Sequence, residues 1–251
     1  MRYGPWALIT GGSEGVGSAF ARQLAASGVS SVLVARKPEP LEQTAAEVRS
    51  LGVECRTIAA DLTQGVGDIL DATADLDLGL LVLNAGANSY GHEFVDGDPA
   101  GHQQVVDLNI TAAMPLLQTV GARLKARGSG GIITVGSMAG YVGQERIATY
   151  AAVKAFQRVL TEGLWLELEP HGVDVLHLVL GLTRTPAMER AGMRLEGAAD
   201  PEDVAREGLE QLPHGPVHVI GGTKVPERLS RYPRDAVVRG FAEMLRGRYE
   251  H

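Results

Sequence analysis

Ser137, Tyr150 and Lys154 are the residues of this 251-residue chain whose types and spacing could move a proton. Tyr150 and Lys154 stand four apart in a run whose apolar members, Ala151, Ala152, Ala155, Phe156, Val159, Leu160 and Leu164, recur at helical spacing. That spacing puts the phenol and the ammonium one turn apart on the same stripe of a helix. A free tyrosine has a pKa of about 10 and shuttles protons poorly at neutral pH, whereas a cation one turn away favours the phenolate and lowers that value. Ser137 closes a β-branched run, Ile132-Ile133-Thr134-Val135, which reads as a buried parallel strand, and its hydroxyl could orient a substrate carbonyl. Tyr-x-x-x-Lys also arises by chance on helix surfaces, so the pair gains meaning only from the elements that must position it.

Those elements begin with Ala7-Leu8-Ile9, a strand signal that runs into Thr10-Gly11-Gly12-Ser13-Glu14-Gly15-Val16-Gly17 and then a helix from Ser18 to Leu24. Strand, glycine-rich turn and helix, in that order, suit a dinucleotide pyrophosphate, because glycines admit the phosphates and the helix N-terminus offers free N–H groups. Gly11, Ser13, Glu14, Gly15, Val16 and Gly17 are therefore candidate cofactor contacts. The next strand, Ser31 to Ala35, ends at Arg36-Lys37. An acid at this strand end binds ribose hydroxyls and a cation suits a 2′-phosphate, so Arg36 favours NADP(H) over NAD(H). Glu14 argues the other way, and a solvated Arg-Lys pair is the plain alternative.

Leu41 to Leu51 reads as a helix, and Cys55 to Ala60 as a third strand ending at Asp61-Leu62. Asp61 could accept from an adenine amine or simply cap the next helix. A fourth strand, Leu80 to Leu83, ends in Asn84-Ala85-Gly86, small residues beside which a cofactor could lie. Alternating strands and helices make the fold class α/β, a doubly wound parallel sheet of Rossmann type in a single domain.

Composition sets bounds. With 45% hydrophobic residues the chain can bury a full core, and a net charge of −7 argues against nucleic acid as a partner. The single cysteine, Cys55, excludes an internal disulfide. No secretory h-region or apolar run of membrane-spanning length is read, so a cytoplasmic location without an integral membrane segment is expected. His92 and His177 lack partners at metal-ligand spacing, and no metal is assigned.

With Thr10-Gly11-x-x-x-Gly15-x-Gly17, Asn84-Ala85-Gly86, Ser137 and Tyr150-x-x-x-Lys154 all in order, the sequence resembles the classical short-chain dehydrogenase/reductase family over roughly residues 5 to 190. Ser137 precedes Tyr150 by the family's usual thirteen positions, and Asn109 matches the asparagine of its catalytic tetrad. The resemblance implies an NADP(H)-dependent oxidoreductase moving hydride between nicotinamide and a carbonyl or secondary alcohol carbon, with an NAD-dependent alcohol or hydroxysteroid-type dehydrogenase as the alternative. A nucleotide-binding sensor without turnover is disfavoured because all four tetrad positions are filled. Tyr150 would exchange the proton, Lys154 would hold the ribose and lower the phenol pKa, Ser137 would bind the reacting oxygen, and Asn109 would support a water leading from the lysine to solvent. Gly181, Thr183 and Thr185 would lie at the nicotinamide end. Two departures stand out: Leu83 replaces an asparagine, and Leu180-Gly181 replaces Pro-Gly.

By the same resemblance, substrate loops fall at 87–99, 138–146 and 183–200. Their apolar residues, among them Tyr90, Phe94, Met138, Tyr141 and Met188, favour a bulky apolar ketone or alcohol. Pro115 should either kink the helix after Asn109 or sit in its first turns. The tail over 223–251 reads as a basic amphipathic extension, with Ala236, Val237, Gly240, Phe241, Met244 and Leu245 on one face and Arg228, Arg231, Arg234, Arg239, Arg246 and Arg248 around it. A homodimer or homotetramer is expected, the altered carboxy-terminal end making the tetramer the less favoured.

Overall fold

The computed structural model describes residues 2–88, 90–222, 227 and 229–246, with side chains as far as residue 243. Strands β1 (Trp6–Thr10), β2 (Ser30–Ala35), β3 (Cys55–Ala59), β4 (Leu78–Leu83), β5 (Gly130–Ser137), β6 (Val173–Leu180) and β7 (Val217–Val219) form one sheet in the order β3-β2-β1-β4-β5-β6-β7. Every pairing is parallel. The order reverses between β1 and β4, so the chain leaves these two neighbours toward opposite sides and opens a crevice at their carboxyl ends, where ligands bind in such sheets.

Helices α1 (Gly15–Ala26), α2 (Pro38–Ser50), α3 (Gly67–Ala72), α4 (Pro99–Val106), α5 (Ala113–Arg127), α6 (Ala148–Leu168), α7 (Pro186–Arg190), α8 (Pro201–Gln211) and α9 (Arg234–Arg246) complete the described elements. Alternate strand residues feed two core layers: Ala7 and Ile9 pack with Phe20, Leu41 and Val204 on one face, Leu8 and Leu81 with Leu116, Val120 and Leu124 on the other. Each such buried aliphatic side chain contributes about 1.5 to 3 kcal/mol of transfer free energy. Leu83 belongs to the second layer, which explains an apolar residue where the family has an amide.

Differences from the sequence reading have local causes. Helix α2 starts at Pro38 rather than Leu41, because the fixed φ of proline suits the first helical turn. The last strand, which the sequence pattern carries from Val217 to Gly222, stops at Val219, and Gly221 and Gly222 follow with φ of +81° and +96°, outside strand geometry. Pro115 falls in the first turn of α5, just after a wide turn over Asp107–Thr111 in which Ala112 N bonds back to Asp107 O. The run from Pro99 to Arg127 is thus 29 residues of helix, long and apolar enough to cross a membrane by those criteria alone. Its apolar residues Leu116, Leu117, Val120 and Leu124 are buried against the sheet.

Helix α6 departs most. Phe156 and Val159, expected on its inner stripe, are exposed, while the buried stripe carries Val153, Lys154, Gln157 and Thr161. In α9, Val237 is buried and Phe241 half-buried, whereas Ala236 and Gly240 of the expected face are exposed. Arg228 and Arg248, with the side chains of Met244, Leu245 and Arg246, lie outside the described residues.

Candidate active site

The carboxyl ends of β1, β4 and β5 and the first turns of α6 meet at one place. Ser137 ends β5, and its Oγ accepts from Ala139 N at 3.1 Å, capping the short turn Met138–Tyr141. Because Oγ is the acceptor there, the hydroxyl keeps its own proton for a second partner. That turn lies directly on α6: a Cβ on Gly140 would fall 2.9 Å from the Lys154 carbonyl carbon, so only glycine allows the contact. At the start of α6, Thr149 Oγ1 and His102 Nδ1 of α4 are 2.9 Å apart, which ties the turn bearing Tyr150 to a second helix.

Lys154 is buried. Its Nζ lies 5.6 Å from the centroid of the half-buried Tyr150 ring and donates to Val135 O and to Gln157 Oε1, both at 3.0 Å. Burial pushes its pKa down to about 7. Asn109, in the wide turn between α4 and α5, donates from Nδ2 to Val105 O at 2.9 Å, and its main-chain carbonyl accepts from Gln157 Nε2 at 2.7 Å. Asn109 Oδ1 is buried and has no partner among the described residues. Gly86 stands between these groups: a Cβ there would lie 2.7 Å from both Asn109 Oδ1 and Lys154 Nζ.

A buried polar chain continues beneath the site, and counting its protons fixes its direction. Thr161 Oγ1 gives its one proton to Gln157 O at 2.7 Å, so Thr134 must donate to Thr161 across 2.8 Å. Thr134 then has no proton left for His177 Nδ1 at 2.7 Å, which assigns the Nδ1–H tautomer to His177. The other nitrogen, Nε2, lies over Gly136, where a Cβ would approach it to 2.1 Å. Burial, with the charges of Lys154 and Arg158, pushes the His177 pKa down to about 3.

The glycine turn is held open by its neighbours. Gly11 and Gly12 donate to Val34 O at 2.8 and 3.2 Å, and Asn84 Nδ2 donates to Thr10 O and Gly11 O at 3.2 and 3.0 Å. Asn84 therefore braces the turn. Gly17 meets Gly11 so closely that a Cβ would sit 2.1 Å from Gly11 O, and Gly11 has φ +68°. Glu14, at the N-cap of α1, supplies no side-chain cap, so the opening N–H groups of α1 at Gly15, Val16 and Gly17 have no side-chain acceptor from it. A glycine cradle facing an uncapped helix start fits a pyrophosphate.

Around the cradle the other sequence-derived residues divide. Thr185 packs on Gly15, where a Cβ would lie 3.0 Å from Thr185 Cγ2, and it caps α7. Ser13 O accepts from Thr44 Oγ1 of α2 at 3.1 Å. Asp61 takes the capping option, its Oδ1 accepting from Thr63 N and Oγ1, and those bonds hold its carboxyl below the usual range with help from the charge of Arg36. Arg36 is exposed at the end of β2. Leu62 packs into the core, Ala85 N donates to Thr10 Oγ1, Thr183 is buried and bridges to Ala199, and Gly181 is exposed.

Two residues escape the sequence reading. Gln157 links Lys154 to Asn109 from the buried stripe of α6, and the signal was an amide at helical spacing from Lys154. Arg190 of α7 grips the Glu14 carboxylate through both terminal nitrogens, Nη1 to Oε2 at 3.0 Å and Nη2 to Oε1, so the acid in the glycine turn carries its own counter-charge. These partners are 176 positions apart, and no local pattern joins them.

Comparison with known proteins agrees with this fold. The family model described as short chain dehydrogenase matches residues 5–195. A 7beta-hydroxysteroid dehydrogenase of Clostridium sardiniense is 34% identical over 218 residues, covering 84% of this chain and 83% of its own. A solved structure concerned with 7beta-hydroxysteroid dehydrogenase stereoselectivity superposes with a TM-score of 0.86 at 30% identity, over 95% of this chain and 96% of that one. A Sphingobium yanoikuyae short-chain dehydrogenase solved with NADPH gives a TM-score of 0.79 at 31% identity, over 86% and 87% of the two chains. The parallel seven-stranded sheet, the glycine turn at its crevice and a matched model that spans that turn and β1 to β6 place this chain in the short-chain dehydrogenase/reductase family, whose members are oxidoreductases that bind nicotinamide cofactors.

Proposed function

We propose that this chain is an NADP(H)-dependent ketone reductase or secondary alcohol dehydrogenase acting on a bulky, largely apolar small molecule. The observation that carries the reading is that Asn109 Oδ1 and Lys154 Nζ meet over Gly86, with the Tyr150 ring beside that Nζ and Ser137 at the end of β5, near an uncapped glycine cradle. When bound, the nicotinamide supplies or accepts the hydride. Ser137 donates its free proton to the reacting oxygen and orients it. Tyr150 gives that oxygen a proton in reduction and takes one in oxidation, with the Lys154 ammonium favouring the phenolate. Lys154 also holds the nicotinamide ribose, and Asn109 braces the wide turn against α6. Gly11, Ser13, Glu14, Gly15, Val16 and Gly17 cradle the pyrophosphate. Asp61 and Leu62 flank the adenosine side, Asn84, Ala85 and Gly86 let the main chain lie close to the cofactor, and Gly181, Thr183 and Thr185 flank the nicotinamide side.

NADP(H) is supported by exposed Arg36, by the pairing of Glu14 with Arg190, and by the NADPH complex of the Sphingobium relative. A bulky substrate is supported by the steroid-acting relative and by exposed Phe94 in the loop after β4. Exposed Met114, Phe156 and Val159 support a homodimer or homotetramer through α5 and α6 in a cytoplasmic protein. The test is titration with NADPH and NADH, followed by loss of nicotinamide absorbance against a panel of bulky ketones. NADPH binding tighter than NADH binding, with turnover of a panel member, is expected; binding of neither cofactor overturns the reading.

A further inference from the structure

Gln157 occupies an unusual position. It is buried on the inner stripe of α6, where an apolar residue would pack without needing partners, and both ends of its amide are used. Oε1 accepts from Lys154 Nζ at 3.0 Å and Nε2 donates to Asn109 O at 2.7 Å. Its main-chain carbonyl receives the proton of Thr161, which anchors this turn to Thr134 and β5.

We propose that Gln157 is a positioning residue for Lys154: its amide fastens the ammonium to the main chain of Asn109, holding the cation under Tyr150 and favouring its charged form. This rests on the roles proposed above for Tyr150 and Lys154. An amide has no proton to pass on at neutral pH, so it serves as a fixed dipole rather than as a proton relay. A carbonyl oxygen accepting from an ammonium favours the charged form, which opposes the desolvation that lowers the Lys154 pKa. The other ionisable groups nearby do not supply that stabilisation. On α6 itself Arg158 lies over the Tyr141 ring of the preceding turn. From β6, His177 is held neutral by burial. His102 of α4 is turned to Thr149, and Asp107 of the wide turn accepts from Gln103 and Thr111.

The experiment replaces Gln157 with Met, which has similar length and no acceptor oxygen or amide donor, and with Glu, which keeps an acceptor for Nζ and loses the donor to Asn109. The readout is the Tyr150 phenol titration, taken from the phenolate absorbance band of each protein minus that of the same protein carrying Tyr150→Phe. Gln157→Met should raise the Tyr150 pKa by about one unit, the scale on which one hydrogen bond to an ionised group moves a titration. Gln157→Glu should fall between it and the native protein, and the pH midpoint of turnover should move in the same order. A packing role would lower the melting temperature and leave the phenol where it was. A phenol pKa in Gln157→Met within about 0.3 unit of native overturns the proposal. Should that variant not fold, an unmoved phenol in Gln157→Leu, which also lacks the acceptor, does so. Because the optical titration needs no turnover, a native protein inactive on every ketone counts against the proposed reaction and leaves Gln157 to be judged separately.

Discussion

Removing the imidazole beneath the site should change how the protein responds to acid. His177 is 1% exposed, and its neutral Nδ1–H form is fixed by the proton count through Thr134 and Thr161. Only Nε2 can take a proton, and it lies against the main chain at Gly136. Its pKa therefore falls from the ordinary 6.5 of a free imidazole to about 3, burial being the largest cause. Between those values the unfolded chain binds a proton that the folded one does not, so stability rises with pH across the window. The contribution is complete above pH 6.5 and is lost as pH falls toward about 3. At about pH 4.5, two units below the unfolded value, the loss amounts to roughly 3 kcal/mol. His177→Gln isolates this quantity, because the amide can still donate to Thr134 and does not titrate. Urea unfolding of both proteins near neutral pH and at about pH 4.5 gives a double difference in which the carboxylates and the fixed cost of the substitution cancel. The native protein should lose roughly 3 kcal/mol more than the variant on acidification. Equal losses, within about 1 kcal/mol, would refute the assignment of a neutral, solvent-excluded imidazole.

Tyr150→Phe should lower kcat by about 10²- to 10⁴-fold while the NADPH dissociation constant stays within about twofold, as read by nicotinamide fluorescence and absorbance; turnover above about a tenth of native removes Tyr150 from proton transfer. Arg36→Ala should weaken NADPH binding by about tenfold or more and leave NADH nearly unchanged, because only the 2′-phosphate loses a counter-charge. Gly86→Ala places a methyl 2.7 Å from both Asn109 Oδ1 and Lys154 Nζ. It should cut kcat/KM by at least about tenfold in a protein of native circular dichroism, and an unaffected rate would mean that this junction is not at the reacting centre.

The strands were readable because each is a short apolar run, yet their ends were not, since pairing sets them. β5 extends from Gly130 to Ser137 because its register with β6 runs from Val173 to Leu180, a constraint absent from the composition of either run. The glycine turn and the Tyr-x-x-x-Lys pair were readable for a related reason: both depend on spacing within one or two elements. Asp61 shows where that local logic stops, since ligand contact and helix capping ask for the same side chain at the same strand end, and the bonds to Thr63 take one of its oxygens.

Helix α6 inverted the usual rule that polar residues face out. Lys154, Gln157 and Thr161 are buried because each finds partners on β5, on the wide turn or along its own helix. Phe156 and Val159 are left outside. A hydropathy pattern cannot choose between these orientations, since an unpaired amide in the core costs roughly 1 to 3 kcal/mol and a paired one costs little. The deciding partner of Gln157, the Asn109 carbonyl, lies 48 positions away. Glu14 makes the same point with the opposite sign. Taken alone it opposes a phosphate-bearing cofactor, and the guanidinium of Arg190 that reverses the argument lies beyond any helical or strand period. At both places the type of residue was readable from the sequence, and what it presents to the site was decided by a partner that only the fold brings near.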